Sequence, residues 1–138
     1  MKKIFLVLSI LLISCSTQND PIIEDISPIP PELIGKWKIV EVYESESGLN
    51  PIWRTYNSGN EYHVWFKEDN QYEKTDGVPT CLTGTYTVSK GNLLKYTNVC
   101  GGEQEVLIES LSWDTLIIDF QNFEAFKAKY FKISEENE

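Results

Sequence analysis

Residues 82–99 read Leu82-Thr83-Gly84-Thr85-Tyr86-Thr87-Val88-Ser89-Lys90-Gly91-Asn92-Leu93-Leu94-Lys95-Tyr96-Thr97-Asn98-Val99. Two runs rich in Thr, Tyr, Val and Leu flank Lys90-Gly91-Asn92. β-Branched and aromatic side chains suit a half-buried pleated surface, and Gly and Asn tolerate the backbone angles of tight turns. The stretch therefore reads as a hairpin of strands 82–88 and 93–99. Two registers are open. If Ser89 faces Asn92, Val88 faces Leu93 and Cys81 faces Cys100. A register one residue over pairs Val88 with Leu94 and Tyr86 with Tyr96, which matches the apolar faces better. In either case Cys81 and Cys100 become neighbours, and a disulfide is expected. It would close a loop of about 20 residues, worth about 3 kcal/mol in the chain-entropy picture. A redox-active pair is disfavoured, because there is no Cys-x-x-Cys and no nearby helix to lower a thiol pKa.

The same signature extends outward from this hairpin. Further strands are expected at 36–44, 61–67, 70–75, 104–110, 114–120 and 126–133, separated by turn signals such as Glu68-Asp69-Asn70 and Ser112-Trp113-Asp114. No segment carries a long helical period. Eight short sequential strands predict an all-β, antiparallel up-and-down barrel, which removes the exposed edges of an open sheet. A sandwich of similar strand count is the alternative. The connection from Ser45 to Asn60 is long for a compact domain and carries Trp53, Arg54 and Tyr56. Such loops are often functional. These residues either form a lid over one barrel end or plug it as a small satellite core.

Before the strands the composition changes. Met1-Lys2-Lys3 precedes Ile4-Phe5-Leu6-Val7-Leu8-Ser9-Ile10-Leu11-Leu12-Ile13, a basic start followed by an apolar run too short to span a bilayer. It ends in Leu12-Ile13-Ser14-Cys15, which resembles the lipobox of bacterial lipoproteins. That resemblance implies cleavage of a signal peptide at residues 1–14, acylation of Cys15, and a membrane anchor made of palmitate-type acyl chains. Ser16, not Asp, follows the cysteine, which implies sorting to the outer membrane. Residues 15–31 hold Pro21, Pro28, Pro30 and Pro31, four of the six prolines, and predict an extended tether. The domain proper is expected at 32–138.

The 138 residues carry 12 basic and 21 acidic side chains, a net charge of -9. Loss of residues 1–14 removes Lys2 and Lys3, leaving 124 residues and a charge of -11. An acidic domain is excluded as a nucleic-acid binder, because phosphates demand a basic face.

Gly35-Lys36-Trp37 opens the first strand, and Val64-Trp65-Phe66-Lys67-Glu68-Asp69-Asn70-Gln71-Tyr72 and Gly84-Thr85-Tyr86-Thr87-Val88 follow later. These phrases are similar to those of lipocalins and related calycin barrels, and most of all to the short lipocalin-like domains of bacterial envelope lipoproteins. The resemblance covers about residues 32–133. It implies that Trp37 packs across a closed barrel end and that a cavity opens at the other end beneath residues 45–60. A Thr-Asp-Tyr phrase and a late Arg stacked on the Trp, both features of longer lipocalins, are not found, and the chain ends soon after the eighth strand.

Little in the chain suggests catalysis. His63 alternates with Tyr62, Val64 and Phe66, which places it toward solvent, and no nucleophile motif accompanies it. The acidic phrase from Glu68 to Asp76 fails the spacing of a calcium loop. No metal or cofactor is expected. Alternation from Trp37 puts Ile39, Glu41 and Tyr43 on its face. A carboxylate on an apolar inner face needs a partner or a wet cavity. Trp37, Glu41, Phe66 and Tyr86 are therefore the ligand-binding candidates. The expected function is a monomeric, lipid-anchored envelope protein, not an enzyme, that binds a small hydrophobic or amphipathic ligand. The alternative is a protein-interaction or inhibitor module of the envelope with a filled core, presenting Trp53 and Trp65 to a partner.

Overall fold

The computed structural model describes residues 25–45, 50–121 and 126–134; Cys15 lies outside them. Strands are β1 (Ile26–Ser27), β2 (Gly35–Glu44), β3 (Ile52–Thr55), β4 (Val64–Phe66), β5 (Gln71–Lys74), β6 (Thr83–Ser89), β7 (Leu93–Asn98), β8 (Glu103–Leu111), β9 (Thr115–Asp119) and β10 (Lys127–Ile133). From β4 through β10 each strand pairs antiparallel with the next, and β2 lies between β10 and β4. The result is a closed eight-stranded antiparallel barrel. Each of the eight expected strands is present within a few residues of its expected span.

Two strands fall where none was expected. β3 lies inside the stretch read as a loop, and pairs with β2 at Glu41–Glu44, while β4 pairs with β2 at Gly35–Trp37. Both run along the same edge of β2, so together they act as one barrel strand interrupted by residues 57–63. β1 lies within the expected tether and pairs with the end of β6, Ile26 opposite Ser89. Its short apolar run, with Ile29 packed on the core, is enough to dock the chain before the barrel begins.

The central hairpin takes the register with Tyr86 opposite Tyr96 and Val88 opposite Leu94. That choice puts all four side chains, each nearly fully buried, on the inner face. Gly84 sits opposite Asn98, where a Cβ would come within 2.1 Å of the Thr97 carbonyl oxygen. No side chain fits there. Beyond the ladder the Cys81–Cys100 disulfide forms, with Cα atoms 5.5 Å apart. It joins the short 3-10 turn Pro79–Cys81 to the turn between β7 and β8.

One end of the barrel is filled. Leu33, from the 3-10 turn Pro31–Leu33, and Trp37 are both fully buried there. The Trp37 indole N–H donates to the Leu33 carbonyl at 2.7 Å. Lys132 crosses the indole face, 4.8 Å from its ring centre, and donates to the carbonyls of Glu32 and Ile34 at 2.6 and 2.8 Å. Lys132 thus stands over the Trp where longer lipocalins stack a late arginine. Gly35, at φ 134°, lets the chain turn into β2 and leaves room for the Lys132 stem, 3.3 Å from where a Cβ would stand.

The pairing of β2 with β10 slips at one point. Ile39 lies opposite Tyr130 and Glu41 opposite Lys129, so Val40 is the extra residue of a β-bulge. The inward set changes there from Trp37 and Ile39 to Val42. Glu41 is consequently turned outward, against the expectation of strict alternation.

Candidate functional site

The end opposite Trp37 is not filled. A cavity of about 300 Å³ lies there, lined by Ile39, Val42, Tyr56, His63, Val64, Lys74, Asp76, Tyr96, Phe120, Phe126 and Tyr130. A neighbouring recess of about 240 Å³ runs toward the disulfide and shares Lys74, Asp76 and Tyr96 with it. A wider surface groove crosses the closed end past Lys36, Trp65 and Lys67, outside the barrel and with charged walls. The open-end cavity is the one with mostly apolar and aromatic walls and a few converging polar groups, the usual make-up of a small-molecule site.

His63 forms part of its wall. It is 3% exposed, not solvent-facing as alternation predicted. The reason lies in the interrupted strand. Between the stretches of β2 paired with β3 and β4, three residues lack strand partners on that edge. The Tyr56 N–H donates to the Val40 carbonyl, and the His63 N–H to that of Trp37, both at 2.8 Å. The Ile39 N–H then donates to His63 Nδ1 at 3.0 Å. With Nδ1 accepting, Nε2 carries the proton and donates to Ser58 Oγ at 2.8 Å. His63 is therefore a clip that completes a broken ladder. Burial lowers its pKa below the ordinary 6.5, with Asp76 opposing that and Lys38 adding to it. The Tyr56 ring lies tilted beside the imidazole, centres 5.8 Å apart.

Lys74 is the other unusual wall residue. It shares the inner face of β5 with Tyr72, two positions apart. Its ammonium sits 4.2 Å from the ring centre of Tyr96 and 5.6 Å from that of Tyr72. Both rings are buried. Burial lowers the Lys74 pKa from 10.5, against the pull of Asp76. Sequence reasoning missed this residue, although the alternation of Tyr72 and Lys74 was there to be read. Tyr96 and Tyr130 complete the polar lining. Burial raises both phenol pKa values, helped for Tyr96 by Tyr130, Tyr72 and Tyr86 and for Tyr130 by Asp76 and Tyr56, so the hydroxyls keep their protons.

The residues singled out from sequence divide sharply. Trp37, Phe66 and Tyr86 are packed in the filled half and line none of these cavities. Phe66 and Tyr86 meet edge to face at 4.9 Å. The Tyr86 hydroxyl donates to the Lys67 carbonyl at 2.9 Å, and burial with Asp69 nearby pushes its pKa up to about 12. Glu41 is outside the barrel, paired with Lys129, whose ammonium also lies over the Trp53 ring. It is corrected from a cavity carboxylate to an outer-face ion pair by the Val40 bulge. Trp53 and Arg54 belong to β3, and Trp53 packs on Tyr43 with ring centres 5.3 Å apart. Tyr56 alone of the three lid residues lines the cavity. The ammonium groups of Lys36 and Lys67 lie 5.1 and 4.4 Å from the Trp65 ring centre.

The family model of the lipocalin-like domain matches residues 33–118. Among solved structures, a lipocalin-like protein from Bacteroides uniformis ATCC 8492 is 16% identical, with a TM-score of 0.49, over 74% of this chain and 99% of that one. No curated protein matches the chain.

Proposed function

Because the chain belongs to the lipocalin-like domain family, we propose that it is a binding protein whose open-end cavity takes a small hydrophobic or amphipathic molecule, and that it does so while lipid-anchored in a bacterial envelope. The observation that carries the first part is the cavity between Ile39, Val42, Phe120 and Phe126 in a barrel whose other end is filled. An eight-stranded barrel is wide enough either to be packed with side chains or to hold one small ligand, and here the two conditions divide the molecule between them. No step of this function requires catalysis. Native mass spectrometry of the full-length protein, purified untagged from its own host, tests it. A co-purified mass of a few hundred daltons that leaves on collisional activation supports the reading. A bare protein across gentle conditions, with no uptake of small apolar probes, overturns it.

The anchor rests on Lys2-Lys3, the apolar run and Leu12-Ile13-Ser14-Cys15. Metabolic labelling with an alkynyl palmitate should mark the native protein and fail to mark Cys15→Ser. Outer-membrane placement follows from Ser16 and is checked by density fractionation of envelopes.

A second reading has its own observation. Trp113 is 67% exposed and Phe131 50%, both at the closed end. Large exposed aromatics suit a contact surface, and an envelope partner docked there would make the protein an interaction module. Co-purification of a stoichiometric partner that is lost in Trp113→Ser would favour that reading over the first.

A further inference from the structure

We infer that the open-end cavity selects a small acid, an apolar body ending in a carboxylate, and that Lys74 is the residue that reads the charge. The inference rests on the ligand-binding reading above and narrows its ligand to one chemical class.

Lys74 places an ammonium in a mostly apolar and aromatic wall, whose other ionisable members besides the tyrosines are His63 and Asp76. Burying a cation is costly unless something meets its charge. The Tyr96 and Tyr72 ring faces recover part of that cost. No carboxylate among the described residues comes within 4.0 Å of the ammonium. Asp76 acts on it from longer range, at an exposed position on the rim.

The hydroxyls of Tyr96 and Tyr130 belong to the same wall, and neither hydrogen-bonds to any described residue. Among the described residues no sealed side-chain polar atom lacks a partner, so these hydroxyls are open to the chamber, where a ligand would replace water on them. Here the ammonium and two phenols share one chamber, whose carboxylate, Asp76, stands beyond ion-pair range of the ammonium. A carboxylate has about four acceptor sites on two oxygens, and its charge makes each bond shorter and stronger. A neutral head group would leave the ammonium unmatched, and an amine would be repelled by it. His63 adds no competing cation, since its Nδ1 is held as an acceptor by the Ile39 N–H. The ligand's body would lie against Phe120, Phe126 and Val42. At about 300 Å³ the chamber is at the small end of known ligand sites. It suits an aryl or short-chain acid better than a long acyl chain.

The test uses the full-length protein in lipid nanodiscs and three probes with one body and different head groups: phenylpropanoate, phenylpropanol and phenylpropylamine. Calorimetric titration should show the acid binding at least about tenfold tighter than the alcohol, and the amine weakest of the three. Lys74→Met should bring the acid down to the affinity of the alcohol while leaving the alcohol unchanged within about twofold. Lys74→Arg should keep the preference, which separates charge from any loss of packing. Equal binding of acid and alcohol to the native protein, or an acid preference that survives Lys74→Met, overturns the inference and leaves the cavity reading standing. If none of the three binds, the cavity reading falls and this inference with it.

Discussion

The two ends of the barrel draw on the same residue types and differ in what their polar atoms meet. At the closed end the Trp37 indole has a carbonyl at 2.7 Å, and the Lys132 ammonium has two carbonyls and an aromatic face. Each donor has its acceptor inside the protein, and the end packs solid. At the open end Lys74 has aromatic faces but no close carboxylate, and Tyr96 and Tyr130 have no protein acceptor among the described residues. A lysine over an aromatic ring is therefore structural at one end and a candidate for recognition at the other. The ring contact does not distinguish them; the presence or absence of an oxygen within reach does.

This contrast can be broken most forcefully at the closed end. Trp37→Ala removes a fully buried indole and its hydrogen bond. Large-to-small changes of this kind cost about 3–5 kcal/mol. Denaturant unfolding should show that loss, and a cost under about 1 kcal/mol would mean that this end is not close-packed. Removing the disulfide by Cys81→Ala with Cys100→Ala should cost about 3 kcal/mol for a bridge 19 residues apart in sequence. Because the bridge borders the open end, limited proteolysis should also become faster first within residues 76–82 and 99–102.

His63→Phe comes next. It leaves the Ile39 N–H without its acceptor, at about 1–3 kcal/mol. It should also remove a pH dependence. The folded-state pKa of His63 is depressed by burial. The unfolded chain therefore binds the proton more readily, and stability rises with pH across that interval. The native protein should hold the full contribution above pH 6.5, the ordinary histidine value, and lose it progressively as pH falls below that toward the lowered pKa. Thermal melts of native protein and His63→Phe from pH 7.5 to 5 check the sign; parallel curves would remove His63 from the ladder. The smallest effect belongs to Glu41→Gln. An exposed ion pair is worth about 0–1 kcal/mol. The change should leave stability nearly the same and probe binding untouched. A loss of binding would put Glu41 back in the site.

The same contrast sets what could be read from sequence. The filled end announces itself: Gly35 and Trp37 mark it, and the pairing of Tyr86 with Tyr96 and Val88 with Leu94 follows from burying all four side chains on one face. The disulfide was visible because a hairpin register brings distant cysteines together whichever of two registers holds. The open end was harder for two reasons. Alternation assumes an unbroken strand, and Val40 breaks β2 while residues 57–63 break the strand beside it. Glu41 and His63 are the residues next to those breaks, and for both strict alternation gives the side opposite to the one they take. Lys74 lies on an unbroken strand, and its inward position was legible in the alternation with Tyr72. A charged residue on an inner face is easily passed over because composition favours the surface for it.

Val40 has a further consequence. A strand with one extra residue is read in two frames, like a message with an insertion. Upstream of Val40 the odd-numbered residues Trp37 and Ile39 face inward, and downstream the even-numbered Val42 does. Deleting Val40 would restore regular alternation and leave every downstream assignment in place: Glu41 would follow Ile39 directly, still outward opposite Lys129, and Val42 would still face inward. That deletion removes only the bulge, whereas adding or removing one residue within the regular stretch 41–44 would exchange the faces beyond it. Within β2, a change of length should therefore be tolerated best at Val40 itself.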